Sequence, residues 1–208
     1  MKSSGILPPR PMCTSCQPLA DSRALEVHVQ VICGRLAAEL SVLLDGHREW
    51  IGMEAEEICR RAAGSSPLFR YDIRFAAGGL ACHEYYFRYL QDNGGTGVPG
   101  EKAAQALRRS FGSADNFFYV FRREAQRMQT GGFLWLCAEV RGRKRHMHLF
   151  PTEGYRLPPV GLRPIFALDL WEHAYLPTFG TDRRSYADAF LRQLDWEAVG
   201  EEMDRLEV

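Results

Sequence analysis

The chain has 208 residues, which is enough for one sizeable domain or for two smaller domains that share a core. Hydrophobic residues make up 46% and charged residues 25% of it, as in an ordinary globular protein, and no apolar run reaches the roughly 18 residues of a membrane span. The 26 basic residues balance the 26 acidic ones, which excludes a uniform field that attracts nucleic acid or membrane and leaves only local basic patches.

The N-terminal half is predicted to be helical. Apolar residues at steps of three and four predict a helix over about 22–44, with His28 on or beside its apolar face. A shorter, charged helix is predicted over 53–63. A third helix over 75–90 contains small residues that permit close packing, followed by a run of aromatic residues after His83.

A stretch rich in glycine, at about 93–100, reads as a linker. It divides the chain into a predicted N-terminal helical hairpin domain, 1–92, and a C-terminal α/β domain, 101–208. The expected fold class is therefore α+β, with helices wrapped around a small antiparallel, three-stranded sheet in the second half.

The C-terminal half contains both helical and strand patterns. Ser113 is a candidate N-cap, because its hydroxyl can accept a hydrogen bond from the first turn of a helix. The basic run 141–145 contains the turn of a predicted hairpin. The predicted elements are helices at 101–109 and 113–128, strands at 133–140, 146–151 and 164–168, and a last helix at 186–194.

The cysteines are spread along a chain that is long enough to fold without disulfide bonds. This favours a reducing compartment and free buried thiols for most of them. Cys13 and Cys16 form a CxxC motif, which is compatible with a redox pair or with half of a zinc site, although no second CxxC completes a four-sulfur cage. The six cysteines are Cys13, Cys16, Cys33, Cys59, Cys82 and Cys137.

The first twenty residues contain Lys2 and Arg10 and no acidic residue before Asp21, which is faintly similar to an organelle presequence, although the segment is proline-rich and not amphipathic. The expected location is the mitochondrial matrix or another organelle, with the cytoplasm as the alternative.

Near the end of the chain stands the stretch DLWEHAYL, residues 169–176. If this stretch is helical, Asp169 and His173 share one face, because positions i and i+4 are neighbours on a helix. On a buried face the pair would supply two ligands of a metal site, and on an exposed face it would be only an ion pair.

Three stretches give the chain a resemblance to the iron/manganese superoxide dismutase family, over about residues 7–203. DLWEHAYL resembles the family's most specific signature, in which an aspartate and a histidine ligand bracket Trp-Glu. AAGGLACHEYYF is similar to the block that carries another ligand, here His83, and LEVH after a proline-rich start resembles the first block, here with His28. GGFLWL is similar to the first strand of the family's sheet, and LDWEAV to its C-terminal helix.

The resemblance implies one iron or manganese ion per chain, held between the two halves by His28, His83, Asp169 and His173. Three neutral imidazoles and one carboxylate suit metals that accept mixed nitrogen and oxygen donors, and they leave a coordination position for solvent. The implied activity is the dismutation of superoxide to oxygen and hydrogen peroxide.

Around the implied metal the chain departs from the family pattern. Leu36 stands where a tyrosine usually lines the substrate channel, and Gly79 stands where the iron-type pattern has a glutamine that binds the metal's solvent ligand. In the manganese-type pattern this glutamine comes from the region of residues 150–155, which contains no glutamine in this chain. An alignment with a gap would place His148 at the position of that glutamine. These replacements predict impaired turnover, because outer residues tune a metal site.

The resemblance also identifies the aromatic walls of the implied site. Trp135 and Trp171 match tryptophans of the family, whereas Phe87 and Phe133 replace two others. Phenylalanine keeps the bulk that excludes water but lacks the N–H donor of tryptophan.

Glu172 matches a glutamate that, in the family, bonds to the ligand histidine of the partner subunit. The resemblance therefore implies a dimer, either of identical chains or with a related chain of the dismutase fold. Ile32 and Leu176 replace a histidine and a tyrosine that normally meet across this interface, so we expect a more apolar dimer centre.

The replacements leave a second hypothesis open. In it the chain is a non-catalytic, dismutase-fold subunit of a larger organellar assembly, such as the small subunit of the mitochondrial ribosome, and it keeps the metal for stability. The basic run 141–145 is compatible with a solvated turn or with a phosphate contact to RNA, and the RNA contact would fit this hypothesis.

Overall fold

The computed structural model describes residues 8–9, 16–50, 52–62, 67–92, 95–139 and 146–208. Its N-terminal part is helical. The predicted first helix consists of α1 (Ser22–Glu26), a π-helical segment (Val27–Cys33) and α2 (Gly34–Leu43), and a 3-10 turn, α3 and α4 follow it. These last three elements span Arg48–Trp50, Ala55–Ala62 and Pro67–Phe87.

Helix α4 begins earlier than predicted and ends earlier as well. Its first residue is Pro67, whose fixed φ suits the first turn of a helix. After Phe87 the chain leaves the helix because Leu90 forms an isolated β-bridge with Leu194 and the Gln91 N–H donates to the Gln193 carbonyl. This short pairing ties the end of α4 to the C-terminal part of the chain.

The C-terminal part confirms the predicted α+β fold. Ser113 caps α6 as predicted, with its Oγ accepting a hydrogen bond of 3.0 Å from the Asn116 N–H. The β strands form one antiparallel sheet in the order β2-β1-β3. The elements are α5 (Glu101–Phe111), α6 (Ala114–Arg127), β1 (Gly132–Glu139), β2 (His146–Glu153), β3 (Leu162–Asp169), α7 (Glu172–Phe179), α8 (Arg183–Gln193) and α9 (Trp196–Arg205).

The central strand β1 is buried along nearly its whole length, as its apolar sequence GFLWLCAE requires. Trp135 lies opposite Phe150 on β2 and Ala167 on β3, and it donates from Nε1 to Thr152 Oγ1 at 2.8 Å. This register places the end of β3, at Asp169, beside Phe133 at the start of β1.

Buried aromatic rings connect the sheet to the helices. Phe166 of β3 contacts Phe121 of α6 and Phe190 of α8, with ring centroids 6.1 and 5.8 Å apart. Phe190 in turn stacks on Tyr86 of α4 at 5.6 Å. The core therefore runs without a break from α6 through the sheet to α4. The predicted division into domains 1–92 and 101–208 stays a prediction, and part of its linker lies outside the described residues.

Four cysteines are free and buried, as predicted for most of them: Cys33, Cys59, Cys82 and Cys137. Burial raises the pKa of all four thiols, that of Cys137 to about 12, so they stay protonated and act as core residues. Cys16 is buried and disulfide-bonded. Cys13 lies outside the described residues.

Within the described residues, every helix is too short or too polar to cross a membrane.

Gly78 marks the closest approach of α4 to the loop after β2. A Cβ at this position would collide with the backbone carbonyl of Tyr155. We expect Gly78→Ala to lower the free energy of unfolding by about 1–3 kcal/mol, because backbone must move to admit the methyl group. Gly34 is the control, since the nearest atom to its added Cβ, the Val29 carbonyl oxygen, is 3.8 Å away.

Urea unfolding of both variants measures the difference. Gly34→Ala should be neutral or stabilising by up to about 1 kcal/mol, because alanine favours the helix over glycine. Equal effects of the two substitutions would contradict the close approach at Gly78.

Candidate metal centre

Four polar side chains from four different elements meet between the helical part and the sheet. His28 comes from the π-helical segment, His83 from α4, Asp169 from the last position of β3 and His173 from the first turn of α7. His28, His83 and Asp169 are buried, and His173 is partly exposed. Each offers one ligand atom, and these atoms all lie within 4.8 Å of one another.

Asp169 and His173 do not lie on one helix, so the condition under which they would share a helical face is not met. Asp169 ends β3, and α7 begins only at Glu172. The turn between them is closed by the Trp171 N–H, which donates to Asp169 Oδ1 at 2.8 Å. A strand-to-helix turn, rather than a helical face, therefore brings the two side chains together.

The three imidazoles converge on one oxygen. Oδ2 of Asp169 lies 3.2 Å from His28 Nε2, 3.4 Å from His83 Nε2 and 3.1 Å from His173 Nε2. Two ligand atoms that are each about 2.1 Å from one metal ion lie roughly 3–4 Å apart. The spacing of the four side chains therefore fits a single ion.

Unsatisfied polar atoms support this interpretation. His28 Nε2 and His83 Nε2 are buried and make no hydrogen bond of acceptable geometry with any described residue, even though both lie close to the carboxylate. A buried polar nitrogen without a partner is costly, and native structures rarely keep one without a functional reason. A metal ion bound among the four side chains would satisfy both nitrogens, so the donor set fits iron or manganese.

The surrounding residues fix the orientation of the candidate ligands. His83 Nδ1 lies 2.6 Å from the Gly79 carbonyl oxygen, which can only accept, so Nδ1 carries the proton and Nε2 keeps its lone pair. The Tyr186 hydroxyl donates to the Asp169 backbone carbonyl at 2.8 Å. Such outer hydrogen bonds are typical of metal sites that must hold their geometry.

The π-helical segment carries His28. The Gly34 N–H reaches back to the Val29 carbonyl, five residues earlier, which is the hydrogen bond of a π-helix. Segments of this kind are rare and occur frequently at functional sites. The sequence periodicity predicted a helix here but not this local widening.

The electrostatics of the centre favour a carboxylate beside a neutral imidazole. Burial lowers the pKa of His28 to about 4, against an opposing contribution from Asp169. Burial by itself would raise the pKa of Asp169, but the imidazoles of His173, His28 and His83 lower it well below its usual range. At neutral pH the site therefore presents an anionic oxygen and a nitrogen lone pair, which is what a cation requires.

Aromatic rings predicted from the resemblance surround the centre. Phe87 lies 5.1 Å from His28, and Phe133 lies 5.6 Å from His83, as ring centroids. Trp171 stacks 6.4 Å from His173. Trp135 lies behind Phe133, with the two rings 6.0 Å apart.

Leu36 and Gly79 also lie near the centre, and they fit each other. A Cβ added at Gly79 would come within 2.7 Å of Leu36 Cδ1 and 3.2 Å of Tyr155 Cδ2. Leu36 and Tyr155 therefore occupy the space that a side chain at position 79 would need. The small residue and the two larger ones are complementary in volume.

Tyr155 is the residue that sequence reasoning missed. Its ring lies 5.6 Å from His83 and 5.2 Å from Trp171, in the loop after β2, where the family pattern leads one to expect a glutamine. Burial, followed by the negative charge of Asp169, raises the pKa of its phenol, so the hydroxyl stays protonated. The positive φ of Gly154, +61°, turns the chain so that Tyr155 enters the site.

His148 does not belong to the centre. It is exposed on β2, opposite Cys137 of β1, and its Nε2 lies 3.1 Å from Glu139 Oε2. The gapped alignment that would bring it to the metal fails because the hairpin register holds β2 in place, and the loop supplies Tyr155 instead.

The residues predicted for a dimer interface lie at the surface beside the centre. Glu172 is exposed, Ile32 is partly exposed and Leu176 is 44% exposed. Val27 and Val31, on the helical turns around His28, are also exposed, at 44% and 56%. Exposed apolar side chains therefore flank the ligands His28 and His173 along the chain.

The fold and the site together define a protein with three histidines and one aspartate arranged for a single metal ion, between a helical part and a small antiparallel sheet. Residues 99–202, half of the chain, match the family described as iron/manganese superoxide dismutases, C-terminal domain. The chain belongs to the iron/manganese superoxide dismutase family.

Relatives with either metal in their names are similar to this chain. A manganese superoxide dismutase of Listeria monocytogenes is 26% identical over 189 residues, which cover 90% of this chain and 91% of the relative. One from Thermus thermophilus is 26% identical over 186 residues, 89% of each chain. An iron superoxide dismutase 2 of rice chloroplasts is 32% identical over 159 residues, 75% of this chain and 60% of the relative. These identities are those of a divergent member.

The geometry predicts which substitutions remove a bound metal. We expect purified protein to hold one iron or manganese ion per chain, and His83→Ala to lower metal affinity by at least about 10- to 100-fold, because it removes a buried donor and leaves the rest of the cluster incomplete. Metal content by elemental analysis after dialysis against a weak chelator measures this. His148→Ala, on the exposed face of β2, is the matched control and should leave the content unchanged.

The depressed pKa of His28 predicts how metal-free protein responds to acid. The folded state keeps His28 neutral down to about pH 4, whereas the unfolded state binds a proton below about 6.5. The free energy of unfolding should therefore fall by about 3 kcal/mol as the pH falls from 6.5 to 4, at about 1.4 kcal/mol per pH unit.

Urea unfolding of the metal-free protein across this range measures the fall. His28→Gln should reduce it, whereas His47→Gln, at a half-exposed position, should not. An equal fall in all three proteins would contradict the assignment to His28.

Proposed function

We propose that this protein is a superoxide dismutase that binds one iron or manganese ion per chain through His28, His83, Asp169 and His173. The observation that carries the proposal is the convergence of three imidazoles on one buried carboxylate, with two buried Nε2 atoms that have no hydrogen-bond partner in the part of the chain that the structure describes. Membership of the family and the names of the relatives support both the metal and the reaction.

A bound iron or manganese ion supplies the one-electron chemistry by which one superoxide is oxidised to oxygen and another is reduced to hydrogen peroxide. The protein's own residues hold the ion, exclude water and provide protons. Phe87 and Phe133 close the interior side of the site, because both rings are fully buried against the histidines. Access is left on the side of His173, the only one of the four side chains with appreciable exposure among those described.

Two donors are positioned to replace the missing glutamine. The Trp171 Nε1–H is buried and has no hydrogen-bond partner among the described residues, and the Tyr155 phenol lies against both Trp171 and His83. Both groups keep their protons at neutral pH. We propose that Tyr155 takes over the outer-sphere role, with its hydroxyl as the hydrogen-bond donor beside the candidate ligands.

We further propose that two identical chains form a dimer through the patch of Val27, Val31, Ile32, Glu172 and Leu176. The patch combines exposed apolar side chains with a carboxylate next to a candidate ligand. An apolar centre suits a stable dimer, since the core of a homodimer interface is more apolar than ordinary surface.

The alternative, a metal-binding subunit without turnover, rests on the replacements at Leu36, Gly79, Ile32 and Leu176. The basic run 141–145, which prompted the idea of an RNA contact, lies outside the described residues. One experiment separates the two functions, namely metal content together with the rate of superoxide consumption on the same preparation. A rate above the uncatalysed reaction that is lost in His83→Ala supports the dismutase, and full metal occupancy without such a rate refutes it.

Tyr155→Phe tests the proposed donor. We expect metal content to stay the same, while the rate of superoxide consumption falls by about 10- to 100-fold and the reduction potential of the metal shifts, because an outer hydrogen bond is lost. Tyr119→Phe, at an exposed position of α6, is the control and should change neither quantity. An unchanged potential and rate in Tyr155→Phe would assign Tyr155 to packing alone.

A further inference from the structure

A cavity lies beside the metal centre, between the start of α4 and the loop after β2. Its volume is about 910 Å³, and it is open to solvent. Pockets for small ligands typically measure roughly 300–1,000 Å³. Tyr155 and Trp171 form its floor, and the same two rings contact His83 and His173 on their other side.

The cavity is strongly basic. Its lining contains Arg60, Arg70, Arg74 and Arg156 and a single carboxylate, that of Glu153. This excess is local, since the whole chain has no net charge. A concentration of positive charge in a concave surface favours an anionic occupant.

Two of the arginines form no ion pair with a described residue, in contrast to Arg60. Arg60 is held by Glu56, at 2.9 Å, and lies 3.4 Å from the Pro158 carbonyl oxygen. By contrast, the structure gives the guanidinium groups of Arg74 and Arg156 no ion pair with any described residue, and both residues are exposed. These two groups are available to a ligand.

A series of aromatic rings forms the apolar side of the cavity. Tyr71 stacks near Phe75 at 6.4 Å, Phe75 meets Tyr155 at 5.0 Å, and Tyr155 meets Trp171 at 5.2 Å. Tyr71 is 70% exposed and Phe75 is 37% exposed, so both rings can be reached from solvent. Neighbouring aromatic faces and guanidinium groups are the combination that recognises a planar ring bearing an anionic group.

We propose that this cavity binds a small planar aromatic anion, with its ring against Phe75 and Tyr155 and its phosphate or carboxylate on Arg74 and Arg156. The occupant would contact Tyr155 and Trp171, whose rings lie beside His83 and His173. Its binding should therefore change the fluorescence of Trp171. The proposal concerns a separate site and holds whether or not the metal centre turns over superoxide.

Titration calorimetry with adenosine monophosphate and with 2-naphthoate, on the purified full chain, tests the proposal. We expect saturable binding of at least one of these probes at one site per chain, with quenching of tryptophan fluorescence that is lost in Trp171→Phe. Adenosine and inorganic phosphate, which each lack one half of the recognised chemistry, should bind at least about tenfold more weakly.

Charge reversal locates the site. Arg74→Glu combined with Arg156→Glu should weaken probe binding by at least about tenfold, because two charge-assisted contacts become repulsive. Arg108→Glu, at an exposed position of α5, is the matched control and should bind as the unaltered protein does. Circular dichroism confirms that each variant is folded before binding is measured.

Three results would overturn the proposal. The first is saturable binding of neither probe, and the second is binding that the double charge reversal leaves intact. The third is that the unaltered protein is a dimer that binds neither probe, and that the charge reversal converts this dimer to a monomer. That result would assign the cavity to a contact between two copies of the chain.

Discussion

A buried carboxylate surrounded by three imidazoles is the constraint on which the rest of the structure depends. Asp169 is fully buried, and an isolated carboxylate in that position would be strongly destabilising. The Trp171 N–H satisfies one of its oxygens, and His28, His83 and His173 surround the other. These groups come from different elements, so the helices, the sheet and the turn after β3 must all be in place before the charge is compensated.

The packing of the core serves this requirement. Tyr86 stacks on His28 at 5.3 Å and on Phe190 at 5.6 Å, and its hydroxyl lies 3.3 Å from that of Tyr186, which holds the Asp169 backbone. The aromatic core of the C-terminal part therefore supports the ligands of the N-terminal part directly. A metal site built in this way is rigid because its supporting rings are themselves buried on all sides.

The departures from the family pattern are concerted. Gly79 leaves a space, Leu36 and Tyr155 occupy it, and Tyr155 brings a phenol to the neighbourhood where a glutamine amide is missing. The same tyrosine separates the metal centre from the arginine-rich cavity. Tyr155 therefore borders both the metal centre and the cavity.

The sequence by itself determined the local structure and the identity of the candidate ligands. Helical periodicity, the cap at Ser113 and the strand patterns fixed the fold class, because each depends on neighbours within a few residues. The resemblance supplied His28 and His83, which no local rule distinguishes from ordinary histidines. Only the tertiary structure decided which faces meet: it separated Asp169 and His173 into a strand and a helix, placed His148 at the surface and brought Tyr155 to the site. Those outcomes depend on the register of the hairpin and on contacts between residues far apart in the chain, which a periodic pattern does not encode.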